Sequence, residues 1–150
     1  RRSRRPRARS APTPPRRATP QEIASAASAR IELEVFGNDA GSYGDKTLAL
    51  GGVDVGVLPR CGDDWHATKL PLDAAARRRL AADNTLVVRA ADAADKFKVR
   101  RIRIVLVMPD GTEVAGPPTA AFVNDPAWAH AAGATPFAAP NDSGPIPVPL

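Results

Sequence analysis

The sequence predicts an all-β protein: an antiparallel, jelly-roll-like β-sandwich of seven or eight strands with one short helix and disordered or irregular ends. Three observations support this fold class. Apolar and polar residues alternate in several short segments, turn-forming residues recur about every 8–12 residues, and helical patterning is confined to one short stretch. A βαβ architecture would need several longer helices between its strands, and the sequence does not contain them.

The first strand is predicted over Arg30–Phe36, where apolar and charged side chains alternate. This period of two is typical of a strand that buries one face, so Glu32 and Glu34 are expected to face water. The segment that follows, 37–45, is rich in glycine, asparagine and aspartate and predicts a loop.

A hairpin is predicted over Leu48–Val55, because the Gly51-Gly52 pair can supply the positive φ angles of a two-residue turn. This turn places the large apolar side chains of both strands on one face, as cross-strand packing requires. The predicted pairs are Leu50 with Val53, Ala49 with Asp54, and Leu48 with Val55.

Two further strands and the helix are predicted in the middle of the chain. Trp65–Leu70 and Thr85–Arg89 have strand composition. Between them, Asp73 is a suitable N-cap for a short helix over residues 74–82.

The longest predicted strand, Lys96–Met108, contains a phase break. Apolar residues occupy odd positions up to Val99 and even positions from Ile102 onward. One extra residue near Arg100-Arg101 would return both sets to the same face, so a β-bulge is predicted there.

The body is predicted to end with a hairpin and an edge strand. Pro109–Gly111 has the residues of a tight turn, which would pair segment 112–115 with the long strand. Segment 119–123 is predicted to add a strand at the edge, and no internal repeat is present.

Charge and proline divide the chain into three parts. The net charge is +5, but residues 1–20 hold eight arginines and no acid, whereas the remaining 130 residues carry 13 basic and 16 acidic side chains. Proline, which interrupts sheets and helices, is also concentrated at the two ends. These shifts predict a disordered basic arm or linker over 1–22, a β-sandwich domain over 23–125 and a Pro-rich irregular tail over 126–150.

Two stretches resemble the galactose-binding-like jelly-roll modules that are attached to many glycoside hydrolases and other secreted hydrolases. Leu48–Pro59 is similar to their "strand, Asn-Gly-Val, x-Val-Gly" hairpin, with Gly51 where asparagine is common, and Asn84–Arg89 is similar to a later strand. The resemblance covers about residues 30–115. It implies a non-catalytic accessory module of a larger hydrolase-like protein, either carbohydrate-binding or structural, with a polysaccharide or an adjoining catalytic domain as partner.

The resemblance and the composition of the first residues support two expectations for localisation. The resemblance favours a secreted or cell-surface protein, whereas the arginine-rich, acid-free start is also compatible with import into an organelle. The sequence has no apolar run of the length needed to cross a membrane, so no membrane partner is expected.

Carbohydrate binding needs aromatic faces and a few fixed polar groups. The aromatic candidates are Tyr43, Trp65 and Trp128, and Asp64 and His66 are polar neighbours of Trp65. Tyr43 lies in a glycine-rich loop and is expected to be exposed. Trp65 lies in a strand, and since large aromatic residues dominate sandwich cores, a core position is favoured for it.

A structural calcium ion is a further expectation, because jelly rolls of the resembled class often hold one between an early and a late loop. Two loops of this chain offer hard oxygen ligands. They are Asn38, Asp39 and Asp45 in the first, and Asp92 and Asp95 in the second. The spacing is not that of an EF-hand, and these residue types are also ordinary turn formers, so both interpretations stay open.

Catalysis by the chain itself is not expected. The nucleophile motif G-x-S-x-G and the phosphate- and dinucleotide-binding glycine motifs do not occur. Cys61 and His66 lie close together, but a zinc site needs four ligands, and the other histidine is His130 in the tail.

The alternative function is nucleic-acid binding, or a place in a ribonucleoprotein, through the arm. Clustered arginines neutralise phosphates and release counterions without regard to base sequence. No aromatic residue lies among them to stack on bases. The arginines are Arg1, Arg2, Arg4, Arg5, Arg7, Arg9, Arg16 and Arg17.

Overall fold

The computed structural model describes residues 15–150, apart from the side chains of 130–132. Within them, ten strands form two sheets that enclose one hydrophobic core, which confirms the β-sandwich. In chain order the elements are α1 (Pro20–Ser25), β1 (Ser28–Phe36), α2 (Ala40–Tyr43), β2 (Lys46–Leu50), β3 (Val53–Val57), β4 (His66–Pro71), α3 (Ala74–Arg77), β5 (Asp83–Ala90), β6 (Lys98–Val107), β7 (Glu113–Ala115), β8 (Phe122–Val123), α4 (Pro126–Ala132), β9 (Thr135–Pro136) and β10 (Ile146–Pro149).

The front sheet has the strand order β4-β1-β6-β8-β9, and β7 pairs with β6 beside β8. The back sheet has the order β10-β5-β2-β3. All pairs are antiparallel except β8 with β9. The chain crosses repeatedly between the sheets, so residues distant in sequence meet on each face.

The core lies between the inner faces of the sheets, and both sheets supply it. Alternating residues of β1 and β6 enter it from the front, and alternating residues of β2, β5 and β10 enter it from the back. The fully buried members include Ile31, Val35, Leu48, Leu86, Val88, Phe97, Val99, Ile102, Ile104 and Leu106. The period-two patterns of the sequence are therefore used as predicted.

The β-bulge predicted in the long strand is confirmed. Glu34 pairs with Arg100 and Glu32 with Arg103, so one residue of β1 lies opposite two of β6. Arg101 is the extra residue; its φ is 52°, in the left-handed region, and its amide donates to the Thr119 carbonyl at 3.1 Å. The bulge returns Ile102 to the core.

The glycine hairpin follows the prediction for two of its three pairs. Leu50 faces Val53 and Ala49 faces Asp54, with both turn glycines at positive φ. The third predicted pair is wrong, because Leu48 pairs with Gly56 rather than with Val55. Gly56 adopts a φ of 150°, which permits an extra residue in β3.

The helices differ more from prediction than the strands. Asp73 caps α3 as expected, its Oδ1 accepting from the Ala76 amide at 2.8 Å, but the helix ends at Arg77 rather than at residue 82. Helix α1 was not predicted, although Thr19 and Glu22 form a capping box with proline at the first helical position. Helices α1, α2 and α4, together with additional short strands, account for the larger number of elements in the described residues.

Part of the predicted arm packs on the domain. Residues 1–14 lie outside the described part of the chain. Within residues 15–22, Ala18 is buried against the hydrophobic core. Arg16 donates to Glu22 at 2.7 and 2.9 Å, and this contact, with the amide of Thr19, lowers the pKa of Glu22 to about 2. The boundary at residue 22 therefore cuts through α1.

The tail predicted as irregular contains an element of the back sheet. Strand β10 pairs with β5 and buries Ile146 and Val148. Leu150 donates its amide to the Ala82 carbonyl at 2.9 Å, so the even-numbered residues bond to β5 and the alternating prolines point their nitrogens away. Proline is tolerated there because β10 is an edge strand.

Candidate functional site

The outer face of the front sheet carries a continuous strip of charged and aromatic side chains, here called the outer front face. Since inward residues of β1 fill the core, its alternate residues project outward. These are Arg30, Glu32, Glu34 and Phe36, flanked by Lys69 of β4 and by Lys98, Arg100, Arg101 and Arg103 of β6. From Phe36 to Arg30 the strip is three two-residue steps, about 20 Å long.

One end of the strip is a cluster of three aromatic rings, here called the ring cluster. Phe36 lies 5.5 Å from Trp65 and 6.1 Å from Trp128 between ring centroids. The interplanar angles are 56° and 67°, so the rings do not form one flat surface. Both tryptophans are half-buried.

Two cations lie against the ring cluster. The Lys98 ammonium is 4.0 Å from the Phe36 centroid, 4.8 Å from that of Trp128 and 5.5 Å from that of Trp65. The Arg100 guanidinium carbon lies 3.9 Å from the Trp65 centroid. These distances are within the range of cation–π attraction. No carboxylate pairs with Lys98 among the described residues.

Local capping places Trp128 in the cluster. Asp125 precedes α4, and its Oδ1 accepts from the Ala127 amide at 3.0 Å. Lys96 holds the same carboxyl at 2.8 Å, and this hydrogen bond, followed by that of Ala127, lowers the pKa of Asp125. Asn124, the residue before Asp125, is held in place because its Oδ1 accepts from the Phe97 amide at 3.0 Å.

Glu32 is the most heavily paired carboxyl of the strip. Arg103 donates to it at 2.8 and 3.1 Å, and Arg30 donates at 2.7 Å. Burial alone would raise the pKa of Glu32, but the hydrogen bonds from Arg103 and Arg30 outweigh it and lower the pKa below its ordinary value. The carboxylate therefore stays ionised and holds both guanidinium groups in place.

Glu34 is paired more loosely, and it shares its charge between two arginines. Arg100 lies at 3.3 and 3.4 Å and Arg101 at 3.3 Å from its oxygens. The bulge explains this double pairing, because a regular strand would send neighbouring side chains to opposite faces. Here Arg100, Arg101 and Arg103 share one face.

Beside the strip, a cleft of about 620 Å³ lies over β1 and β4. Its polar lining comes from both carboxyls and from three cations of the outer front face. The lining includes Glu32, Glu34, Lys69, Arg101 and Arg103. The arrangement can donate and accept hydrogen bonds along its length.

The structure brings together two of the predicted aromatic candidates and separates the third. Trp65 is outside the core, so the favoured core position is wrong. It directly precedes β4 on the outer front face, and its amide donates to Asp64 Oδ1 at 2.8 Å. Asp64 and His66 are exposed beside it. Tyr43 lies on α2, 38% exposed, and forms no ring pair with the cluster in the described residues.

The five predicted calcium ligands do not converge. Asp45 and Asp92 are exposed, and Asp92 bonds to the Ala94 amide of its own loop. Asp95 is buried, but its Oδ2 contacts the buried Lys46 ammonium and accepts from the Asp39 amide at 3.0 Å. A cation of the chain itself thus neutralises this carboxylate.

Asn38 and Asp39 have the remaining candidate oxygens. The Nδ2 of Asn38 donates to the carbonyls of Leu58 and Pro59. Within residues 15–150 the buried Oδ1 atoms of Asn38 and Asp39 accept no hydrogen bond, and the Arg60 guanidinium lies 3.6 Å from that of Asp39. These two oxygens are far from the six or more that calcium takes. In the same part of the chain no group of three or more His, Cys, Asp and Glu side chains could hold a metal ion. The residues do not fit a structural calcium ion.

Two arginines of the predicted polyanion-binding set can be placed. Arg16 pairs with Glu22, and Arg17 pairs with Asp83 at 2.9 Å and with the Ala82 carbonyl. The other six lie outside the described residues. Arg16 and Arg17 are therefore engaged by the domain.

Sequence reasoning missed Phe36 and Lys98 as site residues. Phe36 was predicted as the end of a strand, and its outward phase was available from the alternation of β1. That Lys98 lies directly beside it depends on the register of β1 with β6. No pattern within either segment encodes that register.

Comparison with known proteins adds no relative. A scan against protein-family models finds no match, and searches of curated proteins and of solved structures find none either. None of the helices in the described part of the chain is long and apolar enough to cross a membrane.

Proposed function

We propose that this chain is a non-catalytic carbohydrate-binding module of a larger hydrolase-like protein, and that it binds glycan along the outer front face. The observation that carries the proposal is the ring cluster at one end of the polar strip. Three of the seven aromatic residues, Phe36, Trp65 and Trp128, lie on this one outer surface. None of the three belongs to the hydrophobic core between the sheets.

Sugars present apolar C–H faces and hydroxyl groups, and the strip offers partners for both. Ring faces pack against the C–H surfaces, while fixed polar groups orient the hydroxyls. Glu32, held by Arg30 and Arg103, is such a fixed group, because its ion pairs limit its freedom before ligand arrives.

Affinity electrophoresis against a panel of neutral and acidic polysaccharides tests the proposal. Trp65→Ala and Trp128→Ala are each expected to weaken binding about tenfold, the effect of losing roughly 1.4 kcal/mol of contact. Tyr43→Ala is the matched aromatic control, and it should bind as the wild type does. Retention of binding in both tryptophan variants would contradict the site, and binding to no polysaccharide would leave only a bracing role.

The alternative is nucleic-acid binding through the arm, favoured by the eight arginines of residues 1–20. Because counterion release drives such binding, affinity for single-stranded DNA should fall steeply with salt. Removal of residues 1–14 should abolish it, since Arg16 and Arg17 already pair with acids of the domain. Unchanged affinity after the deletion would exclude this alternative.

A further inference from the structure

The outer front face carries more positive than negative charge. Its cations are Arg30, Lys69, Lys98, Arg100, Arg101 and Arg103, and the carboxylates paired with them are Glu32, Glu34 and Glu113. The excess of +3 contrasts with the net −3 of residues 21–150. The surplus is thus concentrated on one face of an otherwise acidic domain.

The surplus is located at the ring-cluster end of the strip. Lys98 contacts rings rather than carboxylates among the described residues. Arg100 and Arg101 share Glu34 at 3.3–3.4 Å, which is long for a charge-assisted hydrogen bond. One carboxylate cannot occupy the donors of two guanidinium groups, so both arginines keep N–H groups for a further anion.

The exposed fraction differs between the cations and the carboxylates of this surface, and the difference favours contact with an anionic ligand. The Arg101 side chain is 65% exposed, whereas that of Glu34 is 20% exposed. The Arg101 guanidinium is therefore more accessible from solvent than the Glu34 carboxylate with which it pairs. At Glu32 the donors are closer, and the carboxyl is occupied from both sides.

We propose that the glycan bound at this face is anionic, with carboxylate groups of uronic acid residues lying over Lys98, Arg100 and Arg101. This inference rests on the proposed carbohydrate-binding function and names the ligand class of the same site. Arginine offers paired donors that match a carboxylate, and the rings beside it take the sugar face. The bulge at Arg101 is what places two adjacent guanidinium groups at the site.

The test compares polygalacturonate with the same polymer after methyl esterification, which removes the charge and keeps the backbone. Dextran sulfate against dextran provides a sulfate arm, and single-stranded DNA provides a polyanion without sugar-ring chemistry of this kind. Binding to polygalacturonate and its loss on esterification are expected. Binding to dextran sulfate but to neither dextran nor polygalacturonate would keep the anionic assignment and move it to sulfate.

Two variants sharpen the test because they should change the affinity for the anionic polymer in opposite directions. Arg101→Gly suits the left-handed backbone and removes one cation, so binding should weaken about fivefold. Glu34→Gln releases Arg100 and Arg101, so binding should strengthen about threefold. Arg101→Lys, which keeps the charge, is the control and should lose less than Arg101→Gly.

Three results would overturn the inference. Equal binding of polygalacturonate and its methyl ester, or binding to neutral polymers alone, would refute the anionic class while leaving carbohydrate binding in place. DNA binding with the same response to Arg101→Gly and Glu34→Gln would show a general polyanion surface instead. Binding to none of the polymers would refute the proposed function and this inference together.

Discussion

The two outer faces of the sandwich differ sharply in chemistry although they belong to one fold. The outer front face holds six cations, ion-paired carboxylates and three rings. The outer back face consists mainly of small or neutral side chains; they include Thr47, Ala49, Thr85, Val87 and Pro147. Its ion pairs join exposed side chains, Arg89 with Asp142 at 3.4 Å and Arg17 with Asp83 at 2.9 Å.

This difference separates what folding requires from what it permits. Both sheets supply the same kind of inner face, and either outer face would serve to solvate the sandwich. Exposed ion pairs contribute little stability, about 0–1 kcal/mol each. The concentration of charge and rings on the front therefore supports the proposal that this face binds a ligand.

The largest expected effect on stability comes from Lys46, a buried charge that belongs to neither outer face. Lys46→Met leaves the buried Asp95 carboxylate without its cation, and should lower the free energy of unfolding by about 3–5 kcal/mol. Urea denaturation measures it. Arg89→Met on the outer back face is the control, with less than about 1 kcal/mol expected. Equal losses for the two variants would erase the contrast between interior and surface charge.

A smaller effect compares the two sides of one strand. Ile146→Ala empties a buried position of β10 and should cost about 2–5 kcal/mol. Pro147→Ala, its neighbour on the outer back face, should change stability by less than about 0.5 kcal/mol. Thermal unfolding of both variants distinguishes them, and a costly Pro147→Ala would show that the back face is not inert.

The next smaller effect on stability is expected at Glu32, the carboxyl that pairs with Arg30 and Arg103 on the outer front face. Glu32→Gln should cost about 1 kcal/mol at neutral pH, because Arg30 and Arg103 lose a charged acceptor. Folding lowers the pKa of Glu32, so its contribution is complete above the ordinary carboxyl value of about 4.3 and is lost as pH falls through the lower folded value. Denaturation curves against pH should be less steep in the variant below pH 4.3. An unchanged slope would contradict the assignment.

The smallest expected effect is a gain in stability. Arg101→Gly relieves a left-handed backbone conformation and gives up one exposed ion pair, so stability should rise by about 0.5–1 kcal/mol. Urea denaturation measures the change, with Arg103→Gly as the control, since Gly in a regular strand position destabilises. A loss of stability in Arg101→Gly would mean that the side chain, not the backbone, dominates at the bulge.

Features encoded within a single segment were predictable. The bulge follows from a phase break between Val99 and Ile102, and the outward position of Glu32 and Glu34 follows from alternation in β1. The capping box of α1 is equally local, so Thr19 and Glu22 could have revealed that helix.

Features that depend on pairing between distant segments were not predictable. Trp65 lies directly before β4, so its face is decided by the register of β4 with β1. Trp128 reaches Phe36 only because α4 packs beside β8 and β9. The pairing of Lys46 with Asp95 likewise joins the first residue of β2 to the loop before β6, where Asp95 was a candidate calcium ligand.

The prolines of β10 have a consequence for assembly. The amides of this strand that face β5 belong to even-numbered residues, so the opposite edge presents Pro145, Pro147 and Pro149. That edge has acceptors but no N–H donors at these three positions. A strand from another molecule cannot form a full ladder there, and the back sheet is protected on this side against the edge-to-edge growth that leads to aggregation.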